Sequence, residues 1–304
     1  MREDLYALFV TTATSEPTVN VRAWQQSMGP AGHVTFDLNA PPVDTEILNK
    51  AEAFGPDIIF YTGATDGPGL PSDDTLKALR KIAPSVILQG DMGDPPWFPM
   101  LEHYRETGCF DLFASMDGAS GPLVDVPGLT PVDMEPYDHP PRKRTFRCGF
   151  AGNHVSKDYW SRVRDLHGTE DPRSGVLHRL GDLVQLRERE LNGLYVNYAG
   201  FLRRCHMVIN TSYAGSGLAH HIKGRVVETA FAGAALLEMA ESPTRDWFPA
   251  DSFFTYRDLD EARAIILGTS PDEVAERARR FEAYAREHYT PRHIYGAIVE
   301  RLGL

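Results

Sequence analysis

HMVINTSYAGSGLAHHIKGRVVETAFAGAALLE, residues 206–238, is the stretch from which the fold can be read. Residues 207–210 (MVIN) are apolar up to the last position and read as a buried strand. A loop of small and polar residues follows, with Thr211, Ser212, Gly215, Ser216 and Gly217. Residues 225–232 have helical spacing, Gly233 permits a tight exit, and 234–237 (AALL) is a second apolar strand. Strands that read as continuous apolar runs, separated by helices, build parallel sheets covered on both faces.

The rhythm extends in both directions from this unit. Upstream, 146–150 (FRCGF) reads as a strand running into Ala151-Gly152-Asn153-His154. Helices are expected at 155–167 and 198–204, and 169–193 suits short strands or short helices. Downstream come a strand at 252–256 and helices at 271–288 and 291–302. The first half alternates in the same way, with strands at 5–10, 33–38, 57–62, 86–89 and 110–114. Its helices fall near 21–27 and at 44–54, 72–82 and 98–107; Asp44 or Thr45 can cap the second, and Ser72-Asp73-Asp74 opens the third. Between the halves, 131–144 (PVDMEPYDHPPRKR) is rich in proline and charge and has no periodicity, which marks a linker. The expected class is α/β, with two tandem Rossmann-like domains at 1–142 and 143–304. Ligands of such sheets gather at the carboxyl ends of the strands, so the loops 11–14, 63–66 and 90–94 should share one rim.

Composition narrows the function. The 304 residues suffice for two ordinary domains, and 42% hydrophobic with 24% charged residues is a globular balance. No apolar run reaches the roughly 18 residues of a membrane span, and residues 1–4 lack a basic, apolar leader, so a cytoplasmic protein is expected. Cys109, Cys148 and Cys205 are scattered, without a C-x-x-C pair, and read as small core residues rather than a disulfide or zinc framework. The net charge of −11 is uneven: 1–142 carries 8 Lys+Arg against 21 Asp+Glu, whereas 143–304 carries 23 against 21. An anionic ligand is better received by the second half, and the acidic first half is a poor footprint for long nucleic acid. Neither G-x-G-x-x-G, G-x-S-x-G, a Walker loop nor H-E-x-x-H is present, which removes the motif arguments for a dehydrogenase, hydrolase, nucleoside triphosphatase or zinc protease.

The chemistry concentrates at Lys223-Gly224-Arg225. Two cations at a helix N-terminus add their charge to the free backbone N–H groups and the macrodipole, which makes an anion site. Glu228 lies one turn beyond Arg225 on the same face, where its carboxylate can accept two hydroxyl hydrogen bonds from a ribose while the cations hold a diphosphate. The bland reading of Arg225 and Glu228 is a surface ion pair, worth under about 1 kcal/mol. His220-His221 does not suggest a metal, since adjacent side chains diverge in regular structure and no carboxylate stands at ligand spacing.

The run KGRVVETAFAGAALL resembles the donor-site signature of family-1-type glycosyltransferases, in particular the spore-maturation-protein CgeB-like branch. That branch pairs an Arg-x-x-Glu helix with a Gly-Ala exit and an apolar strand. The resemblance continues through Trp247-Phe248-Pro249, Phe254-Thr255-Tyr256-Arg257-Asp258, an acidic helix and Glu287-His288-Tyr289-Thr290. It covers 207–304, and the first half only in rhythm. The resemblance implies a GT-B fold, two Rossmann-like domains facing across a cleft, acceptor domain first and donor domain second, with the last helix packing back on the first. It implies that Glu228 binds the nucleotide ribose, that Lys223 and Arg225 bind the diphosphate, and that the turn at Gly152, Asn153 and His154 approaches the donor. Relatives carry a further acid near the sugar; here that loop reads Ser216-Gly217-Leu218, which argues against a retaining mechanism of that kind.

Transfer to a hydroxyl by inversion needs a base near the acceptor. Asp91, at the end of the strand 86–89 in Gln89-Gly90-Asp91, is the candidate, with Asp94 and Asp66 behind it. Its bland reading is a turn cap beside glycine. Trp97 and Trp247 are expected in core or interdomain packing, with sugar stacking open to Trp97 only because it borders the Asp91 loop. The expected function is metal-independent transfer of a sugar from a nucleotide diphosphate sugar, UDP-linked, to a hydroxyl. The rivals are a nucleotide-sugar 2-epimerase on the same fold and a non-catalytic nucleotide or sugar binder. No motif in the first half names the acceptor, so small molecules, glycans, proteins and modified nucleic-acid bases stay open.

Overall fold

The computed structural model describes residues 4–12, 17–140, 143–152, 177, 179–187 and 194–304. The chain divides into two units, Met1–Asp133 with Tyr289–Leu304, and Met134–His288.

The first unit runs β1 (Ala7–Thr12), α1 (Pro17–Ser27), β2 (Ala31–Phe36), α2 (Asp44–Phe54), β3 (Ile58–Thr62), α3 (Asp73–Ile82), β4 (Ser85–Gln89), α4 (Phe98–Thr107) and β5 (Leu112–Ser115). All neighbours pair in parallel, in the order β2-β1-β3-β4-β5. Side chains alternate across the sheet. Leu8, Val10, Ile59 and Ile87 meet Leu76 of α3 and Leu101 of α4, whereas Phe9, Phe60, Val86 and Leu88 meet Trp24 of α1 on the other face. Burial on both faces explains why these strands read as unbroken apolar runs.

Two details depart from expectation. Strand β1 lies two residues later than expected, because the Tyr6 carbonyl is taken by the N–H groups of Asp57 and Ile58, and the β-branched Thr11 and Thr12 continue the ladder. Asp44 does not cap α2; Val43 holds that position, and the Asp44 carboxylate instead accepts from the Ser72 N–H at 3.1 Å.

The second unit contains β6 (Phe146–Phe150), β7 (Gln185–Leu186), α5 (Tyr195–Leu202), β8 (Cys205–Ile209), α6 (Gly224–Phe231), β9 (Ala235–Met239), α7 (Thr244–Trp247), β10 (Phe254–Tyr256), α8 (Leu259–Gly268) and α9 (Pro271–His288). Its parallel sheet has the order β10-β9-β8-β6-β7. Read from the other edge this repeats the first unit's order, so each sheet reverses direction once, between β1 and β3 and between β6 and β8. Helix α5 begins a turn earlier than expected, because Tyr195 stacks on Tyr198 with ring centroids 5.8 Å apart, and that packing overrides the poor helix propensity of Tyr and Val. The proline-rich segment read as a linker is anchored here: buried Arg203 donates to the carbonyls of Pro136, His139 and Pro140, and Tyr137 is buried.

The C-terminal helix α10 (Pro291–Leu302) belongs to the first unit. Its Tyr295 is fully buried among Phe9, Trp24 and Phe60, with ring centroids 6.4, 5.0 and 5.5 Å away, and its hydroxyl donates to the Asn20 carbonyl. Among the described residues no helix is long and apolar enough to cross a membrane.

Candidate functional site

In open parallel sheets, ligands sit beyond the carboxyl ends of the strands at the point where strand order reverses. In the second unit that point lies between β6 and β8, and the sequence continues there into Ala151-Gly152 on one side and Asn210 to Lys223 on the other. The segment after β8 folds back on itself as a short antiparallel turn. The Ala214 N–H meets the Ala219 carbonyl, the His221 N–H meets the Ser212 carbonyl, and Tyr213 bridges His220. Gly217 closes it with a left-handed φ of 74°, and the buried Ser216 hydroxyl accepts from the Leu218 N–H at 3.0 Å. Ser212 and His220 are joined at 2.8 Å, and burial lowers the His220 pKa, which favours the neutral ring.

Helix α6 opens directly after this loop, with Lys223 at the N-cap and no side-chain cap from that residue. Arg225 and Glu228 are not a surface pair: only 8% and 9% of their surface is exposed. The Arg225 guanidinium donates from Nη1 to Asn210 Oδ1 at 2.7 Å and lies over the Phe150 ring, 4.4 Å from its centroid. Among the described residues its Nε has no hydrogen-bond partner. A buried guanidinium with an unused donor is costly, and a bound anion removes that cost.

Gly152 makes room for this arrangement. A Cβ built on it would stand 1.9 Å from Arg225 Nη2 and 2.9 Å from Cζ, so the guanidinium occupies the space a side chain would fill. Glu228 accepts a hydrogen bond from the Tyr198 hydroxyl at 2.6 Å. Burial first, and then the Glu228 charge, raises the Tyr198 pKa well above the ordinary phenol value, so the hydroxyl stays protonated and donates. At the far end of α6, Gly233 adopts a left-handed φ of 63°, and the Ala234 N–H returns to the Thr229 carbonyl, which gives the tight exit read from the sequence.

The structure thus brings Gly152, Arg225 and Asn210 together, and places Glu228 one turn along with Tyr198. Asn153 and His154 lie outside the described residues, as do the expected helix 155–167 and residues 13 and 14 of the first rim loop. Asp91 belongs to the first unit, at the carboxyl end of β4, and has a left-handed φ of 62°. The Asp94 N–H closes a turn on the Asp91 carbonyl, and Asp94 is itself buried whereas Asp66 is exposed. The loops after β3 and β4 are tied together, because the Gly63 N–H donates to Gln89 Oε1 at 3.1 Å. Trp97 packs, partly buried, against the core of the first unit. Among the described residues no group of three His, Cys, Asp or Glu side chains could hold a metal.

Three residues of the second unit's site escaped the sequence reading: Phe150, Tyr198 and Asn210. Asn210 carried a legible signal, since it is the polar terminus of an otherwise apolar strand. Tyr198 and Phe150 did not, because an aromatic in a helix or strand reads as core.

Comparison with known proteins places this geometry. No curated protein matches the chain in sequence. Solved structures do resemble it: Anabaena Alr3699/HepE in complex with UDP and glucose is 14% identical with a TM-score of 0.62, over 98% of this chain and 99% of that one. An alpha-glucosyltransferase in complex with UDP is 11% identical with a TM-score of 0.60, over 99% of this chain and 100% of that one. An alpha-glucosyltransferase in complex with UDP and a 13-mer DNA containing a HMU base is 10% identical with a TM-score of 0.61, over the same shares. These likenesses show the fold, two Rossmann-like units of the GT-B type. The family model described as glycosyl transferase-like matches residues 144–300, which is more than half of the chain and contains the whole Lys223–Glu228 arrangement. The chain is therefore a glycosyltransferase, a member of the glycosyl transferase-like family.

Proposed function

We propose that the enzyme transfers a sugar from a UDP-linked donor to an acceptor hydroxyl without a metal, and that the donor binds in the second unit. The observation that carries this reading is the buried Arg225, whose Nε has no partner among the described residues, seated at the sheet's reversal point, with the Glu228 carboxylate one helical turn away. Lys223, Arg225 and the free N–H groups of α6 receive the diphosphate, and Glu228 receives the ribose hydroxyls. The turn at Gly152, with Asn153 and His154 after it, and the Ser216-Gly217 turn approach the rest of the donor. The neighbours' UDP and UDP-glucose complexes support uridine as the nucleoside, and the sequence pattern supports the CgeB-like branch. The second unit, Met134–His288 rather than the expected 143–304, is then the donor domain and the first unit, Met1–Asp133 with Tyr289–Leu304 rather than 1–142, the acceptor domain, in a protein that works in the cytoplasm.

Fixed cations and helix N–H groups stabilise the charge that develops on the departing diphosphate. In the inverting route, Asp91 takes the acceptor hydroxyl's proton as its oxygen attacks the anomeric carbon and the bond to the diphosphate breaks. The acidic first half disfavours long nucleic acid as acceptor, although a modified base is the kind of acceptor the DNA-bound neighbour suggests.

A thermal-shift panel of nucleotides and nucleotide sugars tests the reading. UDP and UDP-glucose should raise the unfolding midpoint, since a ligand at about a hundred times its Kd adds about 2.7 kcal/mol. Failure of every uridine nucleotide to shift it would remove the donor assignment. Release of UDP that depends on an added acceptor separates transfer from a 2-epimerase, and turnover of any kind excludes a mere binder.

A further inference from the structure

Strand β9 reads Ala235-Leu236-Leu237-Glu238-Met239, so a charged residue interrupts a fully buried apolar run. Glu238 has no exposed surface, yet each of its oxygens is occupied. Oε1 accepts from the Met239 N–H at 2.9 Å, and Oε2 accepts from Asn210 Nδ2 at 2.7 Å and the Thr244 hydroxyl at 3.3 Å. Asn210 is equally buried and turns its Oδ1 to Arg225 Nη1 at 2.7 Å. A carboxylate and a guanidinium therefore face the two ends of one carboxamide. Since the amide oxygen only accepts and its nitrogen only donates, the charges at either end fix which way it points. The Tyr256 hydroxyl donates to the Asn210 carbonyl at 2.8 Å and holds the backbone at the same place. An apolar residue at position 238 would complete the strand without burying a charge, so the carboxylate serves the strut.

We propose that Glu238 is a positioning residue for donor binding, acting through Asn210 to hold the Arg225 guanidinium where the diphosphate meets it. This rests on the reading of Arg225 as a diphosphate ligand. Burial raises the Glu238 carboxyl from 4.5 to about 7, against the lowering effects of Asn210, the Met239 N–H, Thr244 and the Arg225 charge. The Tyr256 phenol also acts there, and burial and Glu238 keep it protonated. The strut is consequently strongest above pH 7 and weakens as Glu238 takes up a proton.

The test is the Kd for UDP, by calorimetry, of wild type, Glu238→Gln, Asn210→Ala, the double variant and Arg225→Ala, at about pH 6 and about pH 8.5, either side of the carboxyl's transition. UDP's own titration is common to all of them and cancels in ratios. Glu238→Gln should bind roughly three- to tenfold more weakly than wild type at the higher pH and nearly equally at the lower, and should add nothing in the Asn210→Ala background. A ratio that is flat with pH, or fully additive variants, would overturn the proposal, because a general loss of structure has no such pH signature. Thermal unfolding checks each variant. Should Glu238→Gln not fold, the Arg225→Ala to wild-type ratio decides: it should grow with pH, and a constant ratio defeats the strut. If Arg225→Ala leaves UDP affinity unchanged, the diphosphate reading itself fails; if it weakens affinity while Glu238→Gln shows a flat ratio, only the positioning role fails.

Discussion

Replacing Gly152 with alanine tests the site through a single methyl group. The added Cβ would stand 1.9 Å from Arg225 Nη2, whereas carbon contacts settle near 3.5 Å, so the guanidinium must retreat by about 1.5 Å. Nη1 sits only 2.7 Å from Asn210 Oδ1, and a displacement of that size breaks the bond. A hydrogen bond from a charged donor is worth about 1.5–3 kcal/mol, and the cation–π contact over Phe150 adds roughly 1 kcal/mol. The clash falls on the free end of a rotatable side chain, so the fold survives, at a loss of about 2.5–4 kcal/mol to which the φ of 159° at this position adds. Affinity should suffer more visibly: with Arg225 displaced, the Kd for UDP by titration calorimetry should rise roughly ten- to hundredfold. In an Arg225→Ala background the same methyl should cost less, since its nearest obstacle is gone and only the Phe150 ring at 3.3 Å and the φ of 159° at this glycine still oppose it. A folded Gly152→Ala protein that binds UDP within about twofold of wild type would refute the placement of the diphosphate against this guanidinium.

Further outcomes follow from other contacts. Glu228→Ala should weaken UDP binding by about 1–3 kcal/mol through lost charged hydrogen bonds, and unchanged affinity in calorimetry would dismiss the ribose role. Asp91→Asn should slow turnover severalfold or more while leaving the Kd for UDP intact; wild-type rates would take Asp91 out of the mechanism. Tyr295→Ala empties an aromatic box with Phe9, Trp24 and Phe60 and should cost about 3–5 kcal/mol of stability in denaturant unfolding, with a small loss showing that α10 is dispensable. Glu238 also sets a pH dependence of stability. The unfolded chain ionises it near 4.5 and the folded chain near 7, so in that window the folded state binds more protons and stability falls as pH rises, by about 3 kcal/mol. Glu238→Gln should lack this slope in urea unfolding across the same range, and identical slopes would show that Glu238 does not carry it.

The sequence by itself determined the alternation of strand and helix, because that depends on local periodicity and on turn residues. Helices α2, α4, α9 and α10 begin and end where their spacing and flanking residues put them. It also picked out Lys223, Arg225 and Glu228, since charge at a helix mouth and one-turn spacing are local facts. Only the tertiary structure decided what surrounds them. That Arg225 is buried against Phe150, that a glycine 73 positions earlier clears its space, and that Glu238 reaches it through Asn210 all follow from β6, β8 and β9 lying side by side. Such contacts join residues far apart in the chain, and strand order, which no short-range pattern encodes, brings them within a few ångströms.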